Sequence, residues 1–226
     1  MILPSSWILF IGIALISWLI SSLMEHRFKK FSKVYLPLTG REVAEKMLRD
    51  NGITDVKVIS TPGHLTDHYD PRSKTVNLSD SVFNSNSVAA AAVAAHECGH
   101  ALQHACEYAP LQMRSSLVPV VNFASRWLTW ILLAGILLLN TFPNLLLIGI
   151  ILYATTTLFS FVTLPVEINA STRAVEWLEQ AGITDRSTTP MAATALRSAA
   201  YTYVVAALAS LGTLVYYISI FLGRRN

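Results

Sequence analysis

The sequence predicts a mostly α membrane protein with a small α+β part built around an H-E-x-x-H helix. Three observations carry this expectation. Of 226 residues, 53% are hydrophobic and only 14% charged, whereas a soluble domain carries about 25% charged residues. Charge is also spread unevenly: none precedes Glu25, none falls in the 40 residues between Arg126 and Glu167, and none in the 26 between Arg197 and Arg224. About 20 apolar residues cross the hydrocarbon core as a helix. Thirdly, a stretch of ordinary polarity at 25–125 holds short alternating segments and the motif HECGH at 96–100. A mean hydropathy of +0.46 excludes disorder for most of the chain. The net charge of +3, with no long basic stripe, excludes a nucleic-acid binder.

Residues 1–24 form an N-terminal transmembrane anchor. No basic residue precedes the run at 7–23 and no small-residue cleavage pattern follows it, so an uncleaved anchor is expected rather than a signal peptide. Arg27, Lys29, Lys30 and Lys33 follow at once, which sets the topology signal. In the region 25–125, Thr39 is a candidate cap for a helix over 41–50 that Gly52 ends. Residues 56–59 predict a short strand, 61–63 a turn and 69–73 a second turn. Residues 74–78 alternate like a half-exposed strand, which could accept an extended substrate by strand addition or be an ordinary edge strand. Ser87 can cap a long alanine-rich helix.

Residues 126–164 predict a transmembrane hairpin, its arms at 127–139 and 145–164 separated by the break around Pro143. Residues 165–198 follow as a region whose helix opens near Glu167. Residues 199–226 form a C-terminal apolar helix, spanning or membrane-packed, and rich in the small residues that suit close helix contact. Cys98 and Cys106 lie eight residues apart on one predicted helix, about 12 Å, too far for a disulfide. They are expected to be free thiols.

The alanine helix leads into His96, Glu97 and His100. Histidines at i and i+4 share one helical face, so both imidazoles reach one ion. Glu97 is turned by about 100°, beside the metal, where it can take a proton from attacking water. With six His and eight Glu in the chain, chance gives the pattern about once in 200 such sequences. An apolar alanine helix is also a costly place for unpaired ionisable groups.

A third ligand must come from elsewhere. His104 continues the series but lies about 12 Å from His96, and no histidine follows it. It is a substrate-side, supporting or merely interfacial group. His64 and His68 are weaker candidates, and Glu107 sits too far along the helix. Glu167, directly after an apolar span, is the strongest; the alternative is an ordinary interfacial glutamate near a helix N-terminus. His100 and Glu167 can share an ion only if an even number of spans separates them, and the hairpin makes it two.

Four segments, LTDHYDPR (65–72), VNLS (76–79), VAAHECGHALQ (93–103) and PVEINASTRA (165–174), resemble the YugP-type membrane-bound zinc metallopeptidases of bacteria. More distantly the chain is similar to HtpX-like and CAAX-protease-like zinc peptidases. The resemblance implies a zincin-like catalytic part with one zinc per chain on His96, His100 and Glu167, and Glu97 as catalytic base. It implies a membrane-embedded endopeptidase with a peptide or membrane-protein substrate and a bacterial cell membrane as location. The alternatives are a weak or inactive membrane adaptor that keeps the fold, against which the intact Glu97 argues, and a zinc hydrolase of non-peptide amides. Many such enzymes carry Asp four residues after the third ligand; here Ser171 stands there, and Asn169 stands where Asp is frequent. The groups that orient the histidines are therefore open. His104, Arg197, Tyr201 and Tyr203 are the candidates for stabilising the transition state. The early basic cluster, with Arg173, Arg186 and Arg197, places the catalytic side in the cytoplasm; Arg224 and Arg225 would then be outside if all four segments cross.

Overall fold

A computed structural model describes residues 6–223. Residues 1–5 of the expected anchor and the Arg224–Arg225 pair lie outside the described residues. Seven helices and three strands follow in the order α1 (Ser6–Phe31), α2 (Gly40–Asp50), β1 (Lys57–Thr61), β2 (His68–Asp70), β3 (Thr75–Ser79), α3 (Asp80–Phe83), α4 (Val88–Ala105), α5 (Ala109–Leu137), α6 (Pro143–Gln180) and α7 (Thr189–Gly223). They divide into two compact units. One comprises Ile20–Leu111 and Pro165–Tyr201; the other comprises the described parts of Met1–Leu19, Gln112–Leu164 and Thr202–Asn226.

In the first unit the alanine helix α4 is the core. Ser87 accepts a hydrogen bond from the Ala90 amide and opens it. Ala89, Ala90, Ala91, Ala92, Ala94 and Ala95 are all buried, because side chains this small let neighbours come close on every side. Helix α2 packs on α4 through Val43, Ala44 and Met47. It begins with a full capping box: Thr39 accepts from the Glu42 amide, and the Glu42 carboxylate accepts from the Thr39 amide.

The sheet has the order β1-β3-β2. β1 runs parallel to β3 with Lys57 opposite Thr75, and β2 runs antiparallel to β3 with His68 opposite Asn77. Two expectations are corrected here. β3 is the central strand, so both its edges are occupied and it cannot take up a peptide by strand addition. Residues 69 and 70 belong to β2 rather than to a turn. The turn starts after them, where Asp70 accepts from the Arg72 amide and the Ser73 hydroxyl. Asp67 likewise accepts from the Ser79 amide and hydroxyl, tying the β2 entry to the end of β3.

The second unit consists of apolar helix segments. Gly135 lets α5 meet α6 closely: a Cβ there would stand 2.7 Å from the Leu146 Cα. Thr157 and Ser210 share a hydrogen bond of 2.7 Å between α6 and α7. Trp7, Ile8, Ile11, Leu15, Trp18 and Leu19 on α1 are each more than half exposed, a surface that suits lipid and not water. α1, α5, α6 and α7 are each long and apolar enough to cross a membrane.

α5 starts at Ala109, well before residue 127, and passes through Pro119. α6 is one continuous helix across Pro165, so Glu167 does not open a new helix as the sequence led us to expect. Proline removes only one helical hydrogen bond and adds a local clash, and the long flanking turns outweigh that.

Both cysteines are free, Cys98 buried and Cys106 exposed. Burial, then the neighbouring Glu97 carboxylate, pushes the Cys98 thiol well above its ordinary value. Maleimide should therefore modify one thiol per native chain, at Cys106, and a second only after denaturation. Mass spectrometry of the labelled peptides checks this.

Candidate metal centre

Helix α4 and the part of α6 after Pro165 build the site. Their backbones nearly touch: a Cβ on Gly99 would meet the Ala170 carbonyl oxygen at 2.7 Å and its Cα at 3.1 Å. His96 and His100 stand on α4 around this crossing, and Glu167 faces them from α6. The Glu167 Oε2 atom lies 3.3 Å from His96 Nε2 and 3.6 Å from His100 Nε2. The ligand atoms of all three lie within 4.8 Å of one another.

This donor set fits zinc. Two ligands about 2.0–2.1 Å from a tetrahedral ion lie about 3.3 Å from each other, close to the separations found. Two imidazole nitrogens and one carboxylate oxygen are also a familiar catalytic ligand set that leaves a fourth position open. Each histidine's other nitrogen is engaged. Ser171 Oγ lies 3.1 Å from His96 Nδ1, and Gln103 Oε1 lies 3.0 Å from His100 Nδ1. The Gln103 oxygen can only accept, so a neutral His100 carries its proton on Nδ1 and leaves Nε2 available to a metal.

Gln103 is fully buried. Its Nε2 donates to the Val166 carbonyl at 2.8 Å and to Asn169 Oδ1 at 3.1 Å, and Arg173 Nε donates to the same Asn169 oxygen. One side chain thus connects His100 on α4 with the residue preceding Glu167 on α6. Sequence reasoning missed Gly99 and Gln103; it left Asn169 and Ser171 open. Position could have found Ser171, since it lies four residues after Glu167 and so on the same face of a helix.

Glu97 is buried on the same helix, 8% exposed. The other predicted groups stand outside the cluster. His104 is exposed and bonds the Tyr69 hydroxyl through Nδ1 at 3.1 Å. His68 Nδ1 pairs with the Thr66 carbonyl, and His64 packs edge-on against Phe28. Arg197 and Tyr201 are exposed on α7, as is Tyr203.

Gly99→Val should separate the two helices, because both obstructing groups are backbone and cannot swing away. The expected loss is about 1–3 kcal/mol of stability, read as a lowered thermal midpoint. Cys106→Val, at an exposed site, should leave the midpoint unchanged.

The family model described as "Putative neutral zinc metallopeptidase" matches residues 6–222. The chain is 42% identical over 205 residues to the "Putative membrane protease YugP" of Bacillus subtilis (strain 168), covering 90% of each chain. No solved structure matches. The protein is a membrane protein with four apolar helices, and it belongs to the neutral zinc metallopeptidase family.

Proposed function

We propose that the chain is a membrane-embedded zinc endopeptidase of the glutamate-zincin type. One zinc per chain is held by His96, His100 and Glu167, and Glu97 is the general base. The observation that carries this reading is the convergence of two oriented imidazoles and a buried carboxylate on one point. Zinc there supplies a Lewis acid for the substrate carbonyl and makes water more acidic.

The chain's own residues do the rest. Gln103 holds the His100 imidazole in the tautomer that leaves Nε2 for a metal, and Ser171 supports the His96 ring at Nδ1. Glu97 takes the proton of the attacking water on its carboxylate and passes it to the leaving nitrogen as the C–N bond breaks. His104, on the open face of α4 beside Tyr69, is the nearest in sequence of the candidates for stabilising the transition state.

Glu167 follows residue 164, the expected end of the span, by three residues, about 5 Å along the helix. The site then lies at the bilayer interface, with 25–125 and 165–198 carrying the chemistry on the cytoplasmic side. Substrates are extended peptides or partly unfolded membrane proteins that bring a bond to that depth.

Four outcomes are expected. Glu167→Ala loses most bound zinc in metal analysis, because one of three ligands is gone. Glu97→Gln keeps zinc and loses activity by several orders of magnitude; near-normal turnover would remove Glu97 from its role. A cleavable sequence beside a transmembrane helix should be cut faster than the same sequence on a long linker or in a soluble fusion. Cysteines placed at Ser32 and Ser187 should resist impermeant reagent in intact cells.

A further inference from the structure

Along the second half of α4 most side chains are buried, including Ala94, Ala95, Glu97, Cys98, Gly99, Ala101 and Gln103. Val93, His96, His100 and His104 keep some exposure, and at 100° per residue these four fall within about 80° of one another. They form one open stripe, with the candidate metal ligands in its middle. Its two ends differ in chemistry. At the C-terminal end stands the polar pair of His104 and the Tyr69 hydroxyl.

At the N-terminal end Val93 is part of the wall of a cavity of about 380 Å³. Phe28 and Met24 of α1, Leu65 of the β1–β2 connection, and Ala195 and Ala199 of α7 form most of the remaining wall. That wall is largely hydrocarbon, with Glu25, Lys29 and His64 as its polar members. Leu65, on the cavity wall, holds a left-handed conformation with φ 58°, uncommon for such a residue.

We propose that this cavity is a substrate pocket that receives a large apolar side chain next to the scissile bond. The proposal rests on the peptidase reading above and adds a preference to it. Val93 precedes His96 by one helical turn, a rise of about 4.5 Å. Side chains on one face of an extended peptide recur about every 7 Å. A peptide lying on the stripe with its bond at the metal therefore presents a neighbouring side chain at the cavity. The volume lies at the small end of ligand pockets, which span roughly 300–1,000 Å³, and is ample for a Leu- or Phe-sized group. Continuity with the metal-bearing face favours a peptide side chain over a lipid tail as occupant.

Peptide hydroxamates test the pocket without turnover, since the hydroxamate anchors at zinc whatever the side chain. The zinc-loaded full chain in detergent is titrated with a series bearing Gly, Ala, Leu or Phe next to the anchoring group. Leu and Phe compounds should bind roughly 10–100-fold more tightly than the Gly compound. Ala195→Leu and Ala199→Leu each project three more carbons into the cavity and narrow it, at little cost in helix propensity. Each should cut that preference to threefold or less while keeping bound zinc and the affinity for the Gly compound.

Equal affinities across the series in the wild type would overturn the pocket and leave the zinc reading standing. A preference that survives both fillings would also overturn it. So would loss of the preference on adding a long-chain phospholipid with the Gly compound unaffected, which would give the cavity to a lipid tail. Failure of every hydroxamate to bind the zinc-loaded chain would overturn the metal reading itself.

Discussion

The site depends on how closely α4 and α6 approach at Gly99 and Ala170. With no side chain at Gly99, the Ala170 backbone comes within van der Waals distance of α4. Only then do side chains as short as Glu167 and two histidines meet at separations of 3.3 and 3.6 Å. A buried carboxylate is costly without donors or a cation. The alanine face of α4 extends the same principle, since every buried alanine brings a neighbouring element nearer to the axis of the helix. The close approach also removes water, which strengthens electrostatic attraction in the site.

Gln103 keeps the crossing in register. Its amide engages His100 on one side, and Val166 and Asn169 on the other. All of these groups are polar and enclosed, so each is costly to leave unmade. Arg173 braces Asn169 from one turn farther along α6. The arrangement fixes the rotation of α6 relative to α4, and with it the direction in which Glu167 projects. At 38 residues, α6 measures about 57 Å, against a hydrocarbon core of about 30 Å. One helix is thus longer than a span requires, and its remaining turns include Glu167.

Much of this was legible in the sequence because local rules decide it. Ser87 and Thr39 are caps by chemistry, and the i, i+4 histidines share a face by helical geometry alone. The four apolar helices follow from length and the absence of charge. What was not legible depends on partners far away in the chain. β3 looks like an edge strand from its alternation, and only pairing with both β1 and β2 makes it central. Pro165 looks like a helix start, but α6 runs through it. Gly99 looks like an ordinary break in an alanine helix until Ala170 is set against it. Gln103 is unremarkable as a sequence letter, and its meaning comes from residues 63 and 66 positions away. Asp67 and Asp70 of the LTDHYDPR segment accept hydrogen bonds that fasten the ends of strands, which depends on partners the sequence does not name.

The central claim is that two α4 imidazoles and the α6 carboxylate hold the metal. X-ray absorption at the zinc edge of the purified full chain tests it most directly. The spectrum should show about two imidazole nitrogens and one or two oxygens near 2.0–2.1 Å. It should lack scattering from sulfur, because Cys98 and Cys106 stand outside the cluster. A zinc–sulfur shell near 2.3 Å, or the absence of imidazole scattering, would contradict the account.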